Sequence, residues 1–173
     1  MAETGFGRRE FLGAATAIVV VPAGTARAET VTAAGDSDFT FEITRSDAEW
    51  RERLGDEGYR ILREGGTEAK HSSPLVDETR DGVYCCRGCD LPVYESVWKV
   101  QLDIGWVFFR QCQPNSVLTG IDGPAFDGTV DLRIISMIEA HCRRCGSHLG
   151  HIQIVEGQLL HCINGASLDF AEA

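Results

Sequence analysis

Two Cys-x-x-Cys pairs, Cys86/Cys89 and Cys142/Cys145, and a separate Cys162 set between His161 and Asn164 are the residues of this chain best equipped for chemistry. Thiolates at i and i+3 reach one ion from a tight knuckle, so Cys-Arg-Gly-Cys and Cys-Arg-Arg-Cys are two half-sites for a closed tetrahedral zinc. Gly88 and Gly146 supply the permissive backbone such turns need. Each knuckle alone would also suit a redox dithiol, but two of them with strand-like flanks favour zinc. Grouping Cys142 and Cys145 with His148 and His151 would leave little chain to wrap an ion. Cys85 could replace Cys86, at a spacing that fits the knuckle less well.

Cys162 is a different kind of thiol. Buried free cysteines commonly act as small apolar side chains. A neighbouring histidine and asparagine instead favour a reactive thiolate. His148-Leu-Gly-His151 follows the second knuckle directly. Such histidines could be ligands, acid–base groups or ordinary polar residues. Their tether to a rigid turn favours acid–base work, because a general acid must be held within hydrogen-bond reach of its target.

The elements that must hold these groups are mostly short. Ser46 or Asp47 is expected to cap a helix through Trp50, Arg51 and Leu54, and Gly55 to break it. A second helix is expected over 57–64, stopped by Gly65-Gly66. Phe39–Thr44 is expected as a short lead-in strand after a polar linker, the two together covering 29–45. From Val83 onward, runs at 91–98, 106–109, 133–138 and 157–163 are rich in β-branched and aromatic residues between turn formers. The reading is mainly β, antiparallel, with two short N-terminal helices.

The N-terminal stretch carries Arg8-Arg9-Glu10-Phe11-Leu12, an apolar run over 13–21 and a small-x-small end at Ala26-Arg27-Ala28. This describes an export signal over 1–28 that resembles the twin-arginine type, with a periplasmic or otherwise exported destination. Its apolar run is too short for a permanent membrane span. The chain is 173 residues long with net charge −10 and seven cysteines. Such acidity opposes nucleic-acid binding. An odd thiol count with knuckle spacings argues against a simple disulfide framework.

From about Asp47 to Phe170 the chain resembles the B-type methionine sulfoxide reductases, which act on methionine-(R)-sulfoxide. The resemblance rests on Glu49-Trp50-Arg51, Tyr59-Arg60-Ile61-Leu62-Arg63, Thr67-Glu68, and Gly82-Val83-Tyr84 leading to Cys86-x-x-Cys89. It continues through Gly105-Trp106 with Phe109, Glu139 before Cys142-x-x-Cys145-Gly146, His148-Leu-Gly-His151, Cys162-Ile-Asn164, Ala166-Ser-Leu168 and Phe170. It implies a β-tent of two antiparallel sheets pinned by a structural four-cysteine zinc (Zn2+) site, here within 46–171. It also implies that Cys162 attacks the sulfoxide sulfur and that His148 or His151 protonates the departing oxygen. Asn164 would orient the reacting groups, while Trp106, Phe109 and Phe170 form an apolar cup. A sulfenic acid on Cys162 would then be captured by a second thiol, with a thioredoxin-like or other dithiol as partner.

Several positions depart from the family pattern. Gly105-Trp-Val-Phe-Phe109 and Ile152-Gln-Ile-Val-Glu-Gly157 are altered, and Leu160 stands where the family has an arginine two places before the nucleophile. Losing that cation should raise the thiol pKa. Ile104 occupies the usual resolving position, which leaves Cys112, then Cys85, as candidates for a recycling disulfide. A zinc module without turnover, or another glutathione-dependent thiol enzyme on the scaffold, are the alternative readings.

Overall fold

A computed structural model describes residues 39–122 and 137–173. The expected export signal, the linker up to residue 38 and most of the 133–138 run lie outside these. Ser46 caps helix α1 (Asp47–Glu64) with a capping box: its Oγ accepts from Glu49 N at 3.4 Å, and Glu49 Oε2 accepts from Ser46 N at 2.8 Å. The two expected helices are one element. Gly55 is non-helical at φ 69°, ψ 172°, a backbone glycine tolerates, and marks the kink at which two helical stretches meet within that element. Trp50, Leu54, Tyr59, Ile61 and Leu62 form its buried stripe. Gly65, at φ 70°, closes it.

No strand forms over 39–44. That segment docks on the second knuckle instead of joining a ladder. Ile43 N donates to Arg144 O at 3.0 Å, and Phe41 lies over Gly146, where a Cβ would sit 2.7 Å from the ring.

Among the described residues nine strands follow: β1 (Gly82–Cys86), β2 (Pro92–Glu95), β3 (Lys99–Val100), β4 (Val107–Phe109), β5 (Val117–Asp122), β6 (Met137–Cys142), β7 (His148–Val155), β8 (Gln158–Ile163) and β9 (Leu168–Glu172). They pair antiparallel in two sheets, β2-β1-β9 and β3-β4-β8-β7-β6-β5. The main core takes side chains from α1 and from both sheets, including Trp50, Ile61, Tyr84, Tyr94, Phe109, Leu149 and Ile163. A smaller apolar cluster of Val100, Phe108 and Leu160, with Trp106, Ile104 and Cys162 against it, packs apart from that core. Among the described residues no helix is long and apolar enough to cross a membrane.

Candidate active site and metal centre

The four knuckle cysteines converge. Cys86 Sγ lies 3.8 Å from Cys145 Sγ and Cys89 Sγ lies 3.5 Å from Cys142 Sγ, and all four residues are buried. A tetrahedral ion with Zn–S bonds of about 2.3 Å sets its sulfurs about 3.8 Å apart, so the cage has the size zinc needs. The surroundings fit as well. A Cβ at Gly88 would sit 2.6 Å from Ser147 Oγ and 3.3 Å from Cys145 Sγ, and Gly146 takes φ 70°. Hydrogen bonds from the Cys142, Cys86 and Cys89 thiols, with Ser147, hold Cys145 well below the ordinary thiol range. Arg63 Nη1 donates to Cys145 O at 3.0 Å, which ties the cage to α1. All four ligands are protein sulfurs, which leaves no position for substrate. An ion held there would be fully enclosed by protein ligands, the arrangement of a structural site.

Strand register explains the rest of the site. Val100, Phe108, Cys162, His151 and Glu139 stand directly opposite one another in successive strands of the large sheet, forming one transverse row. Opposed residues project to the same face. The nucleophile candidate therefore has an aromatic ring on one side and an imidazole on the other. His148 would ordinarily point away from His151, three residues on. A bulge at Leu149 shifts the register between Ala140 and His141, so that His148 pairs with His141 and both histidines share the face of Cys162. Their rings are 5.3 Å apart. Gly150 makes the bulge feasible: at φ 153° it passes so close to β8 that a Cβ would lie 2.2 Å from Cys162 O. The His-Leu-Gly-His spacing is thus a folding requirement as much as a chemical one.

Glu139 organises the histidines. Its Oε1 lies 2.5 Å from His148 Nδ1 and its Oε2 lies 3.0 Å from His141 Nε2. Burial would raise this carboxyl, but His141 and His148 overcome it and hold it down at about 2. His148 Nε2 is buried without a hydrogen-bond partner in the structure.

Burial pushes the Cys162 thiol up to about 11, and the Glu68 carboxylate adds to the rise, while a hydrogen bond with the Gln153 side chain opposes it. Leu160 is buried in the small apolar cluster two residues before the nucleophile. Trp106 packs in the same cluster as Cys162, with Lys70 Nζ 5.1 Å from its ring centre.

Two of the expected cup residues stand elsewhere. Phe109 is fully buried in the main core, stacked on Tyr94 at 4.3 Å. Alternation along β4 sends Phe108 to the Cys162 face and Phe109 away from it. Phe170, on β9, packs against Tyr84 at 5.0 Å and lines a cavity of about 670 Å³ that contains neither Cys162 nor a histidine. Phe108 is the ring that sequence reading missed; only the pairing register reveals it.

Asn164 is 3 % exposed, and its amide is committed to backbone. Its Oδ1 accepts from Glu68 N at 3.0 Å, and its Nδ2 donates to Leu149 O at 3.3 Å. Glu68 in turn accepts from Gly165 N and Ala166 N at 2.6 and 2.8 Å. Asn164 thus braces the segment after the nucleophile against the bulge residue. Cys112 packs against the main core near Tyr94, while Cys162 belongs to the small cluster. The two thiols pack against different apolar clusters.

The SelR domain family matches residues 54–172, spanning both knuckles, the histidine pair and Cys162. The chain belongs to this family. It is 38% identical over 140 residues to the peptide methionine sulfoxide reductase MsrB of Agrobacterium fabrum, covering 78% of this chain and 97% of that protein. It is 36% identical to the MsrB of Leifsonia xyli over 75% of this chain and 91% of that protein. The peptide methionine sulfoxide reductase B3 of Arabidopsis thaliana is also 36% identical, with 76% and 72% covered.

Proposed function

We propose that this SelR protein reduces methionine-(R)-sulfoxide, free or within proteins, to methionine, with Cys162 as the nucleophile. The observation that carries the reading is the row Phe108–Cys162–His151–Glu139. The Cys162 sulfur attacks the sulfoxide sulfur and the S–O bond breaks towards the oxygen. A proton from His148 or His151 neutralises oxygen that would otherwise leave as a strongly basic oxide. The attack leaves Cys162 joined to the methionine sulfur as a thiosulfonium. The released hydroxide, or water, then attacks the Cys162 sulfur, methionine departs as that S–S bond breaks, and Cys162 is left as a sulfenic acid. A thiol of an external dithiol reductant attacks that sulfur and releases water. Its second thiol breaks the mixed disulfide and regenerates Cys162.

Trp106 and Phe108 supply the apolar wall for the substrate's methyl group. A thiol at about 11 is mostly protonated at neutral pH, so the attack requires the thiol proton to move as substrate seats. Export through a twin-arginine signal, cleaved after Ala28, completes the reading and rests on sequence alone. Edman sequencing of the exported protein checks the cleavage site.

Incubation of the reduced protein with free and peptide-bound methionine-(R)-sulfoxide and a dithiol tests the reaction. Turnover that disappears in Cys162→Ser is expected. A zinc module without turnover is the second reading, favoured by buried Leu160 in place of a cation beside the thiol. Zinc content with no turnover in the wild type would select it.

A further inference from the structure

We propose that Glu139, His141 and His148 form a second metal site, selective for a divalent transition-metal ion and distinct from the four-cysteine cage. One carboxylate oxygen and one nitrogen from each imidazole lie within 4.8 Å of one another, and all three residues are buried. The fold places them as ligands. Glu139 and His141 are alternate residues on β6 and share a face, and His148 is brought opposite His141 by the bulge at Leu149. Three donors from two adjacent strands form a buried triangle.

An independent observation points to a ligand. Both ring nitrogens of His141 are buried without a hydrogen bond, although Nε2 is only 3.0 Å from Glu139 Oε2. Nε2 is thus held only by its ion-pair contact with Glu139, and Nδ1 has no partner. His148 Nε2 is buried without a partner too. Unpartnered buried polar groups carry a real cost, and coordination removes it. His141 is 3 % exposed, so bulk water does not relieve it.

The donor set selects the ion. Two imidazoles and one carboxylate, with no thiolate, suit zinc, cobalt, nickel, copper or ferrous iron rather than magnesium or calcium. A dication against one carboxylate and two neutral rings leaves the site with a single net positive charge. The consequence for catalysis rests on the reductase reading above. An ion on His148 would take that imidazole out of proton transfer and leave only His151 for it, so occupancy slows turnover and a chelator restores it.

The test adds Co2+ to reduced full-length protein that already holds zinc in its four-cysteine cage. One cobalt per chain is expected, with weak d–d bands, no thiolate-to-cobalt charge-transfer band and no zinc released. His141→Ala and Glu139→Gln should each weaken cobalt binding at least tenfold while keeping one zinc per chain. His141→Gln serves if the alanine variant does not fold, and the wild-type spectrum decides independently of all three. Cobalt that appears only with thiolate charge transfer and displaced zinc would overturn the proposal, as would equal binding in wild type and the variants. Binding is read by spectrum and stoichiometry, so this outcome is separate from whether the protein reduces sulfoxides.

Discussion

Gln153 stands directly opposite Leu160 across the β7–β8 ladder, and its side chain hydrogen-bonds the Cys162 sulfur two residues further on. In this chain an amide dipole is the group that favours the thiolate, beside a buried and uncharged Leu160. A neutral hydrogen bond contributes about 1 kcal/mol, or roughly five-fold in an equilibrium. Gln153→Leu should therefore slow Cys162 alkylation at pH 8 about five-fold, measured with iodoacetamide by peptide mass spectrometry. An unchanged rate would show that the amide does not act on the sulfur.

The thiol itself gives a pH profile with a definite sign. Burial raises Cys162 to about 11, so the reactive thiolate fraction grows about ten-fold per pH unit below that value. Alkylation of Cys162 should climb through pH 8, 9 and 10 without the plateau an ordinary thiol shows near 9. Stability moves the opposite way. The unfolded chain ionises this thiol first, so folding loses this contribution as pH rises from about 8.5 towards 11, and keeps it in full below that window. A plateau in the alkylation profile below pH 9 would contradict the burial argument.

The chemistry was legible in the sequence wherever it depends on short spacing. Cys86-x-x-Cys89 and Cys142-x-x-Cys145 announced the cage because a tetrahedral ion demands i, i+3 thiolates, and Ser46 with Glu49 announced the helix start. What spacing does not encode is which face a side chain takes. That depends on pairing partners distant in sequence and on a one-residue bulge, and a shift of one residue exchanges the two faces of a strand. Phe109 was therefore expected beside Cys162, and Phe108 holds that place. Gly55 does interrupt the helical backbone, as glycine's freedom allows, but the buried stripe on both sides keeps the two stretches together as one kinked element.

Phe108 and Phe109 should separate function from stability. Phe108 stands opposite Cys162, while Phe109 is fully buried between Tyr84 and Tyr94. Phe109→Ala should cost about 3–5 kcal/mol of folding free energy, read by urea denaturation. Phe108→Leu keeps an apolar side chain in the small cluster. It should raise KM for the sulfoxide several-fold with a modest loss of stability. The reverse pattern would place the substrate on the other face of the sheet.

Recycling should not pass through Cys112. That thiol packs with the main core, and Cys162 packs with Phe108 and Leu160 in the separate cluster. Cys112→Ser is expected to turn over within about two-fold of wild type with an external dithiol. Non-reducing peptide maps of sulfoxide-treated protein should show sulfenic acid or a mixed disulfide on Cys162. A Cys112–Cys162 peptide would require the sheet to open, and its detection would overturn the direct route.

Metal removal should act on the fold before it acts on the chemistry. The cage draws one knuckle from β1 and the turn after it and the other from β6 and the turn before β7, so it links the two sheets at a point that α1 also reaches through Arg63. Four buried thiols without a cation lose their common partner. Structural zinc in small domains contributes on the order of 10 kcal/mol, and 1 kcal/mol shifts the melting temperature about 2–4 °C in a chain of this size. Cys89→Ser, or prolonged chelation, should therefore lower the melting temperature by at least about 10 °C, with loss of one zinc per chain by elemental analysis. Cys162→Ser should retain that zinc and melt like the wild type, because its sulfur lies in the small cluster and outside the cage. Zinc lost from Cys162→Ser would make the nucleophile a ligand and remove the division of labour between the two kinds of thiol.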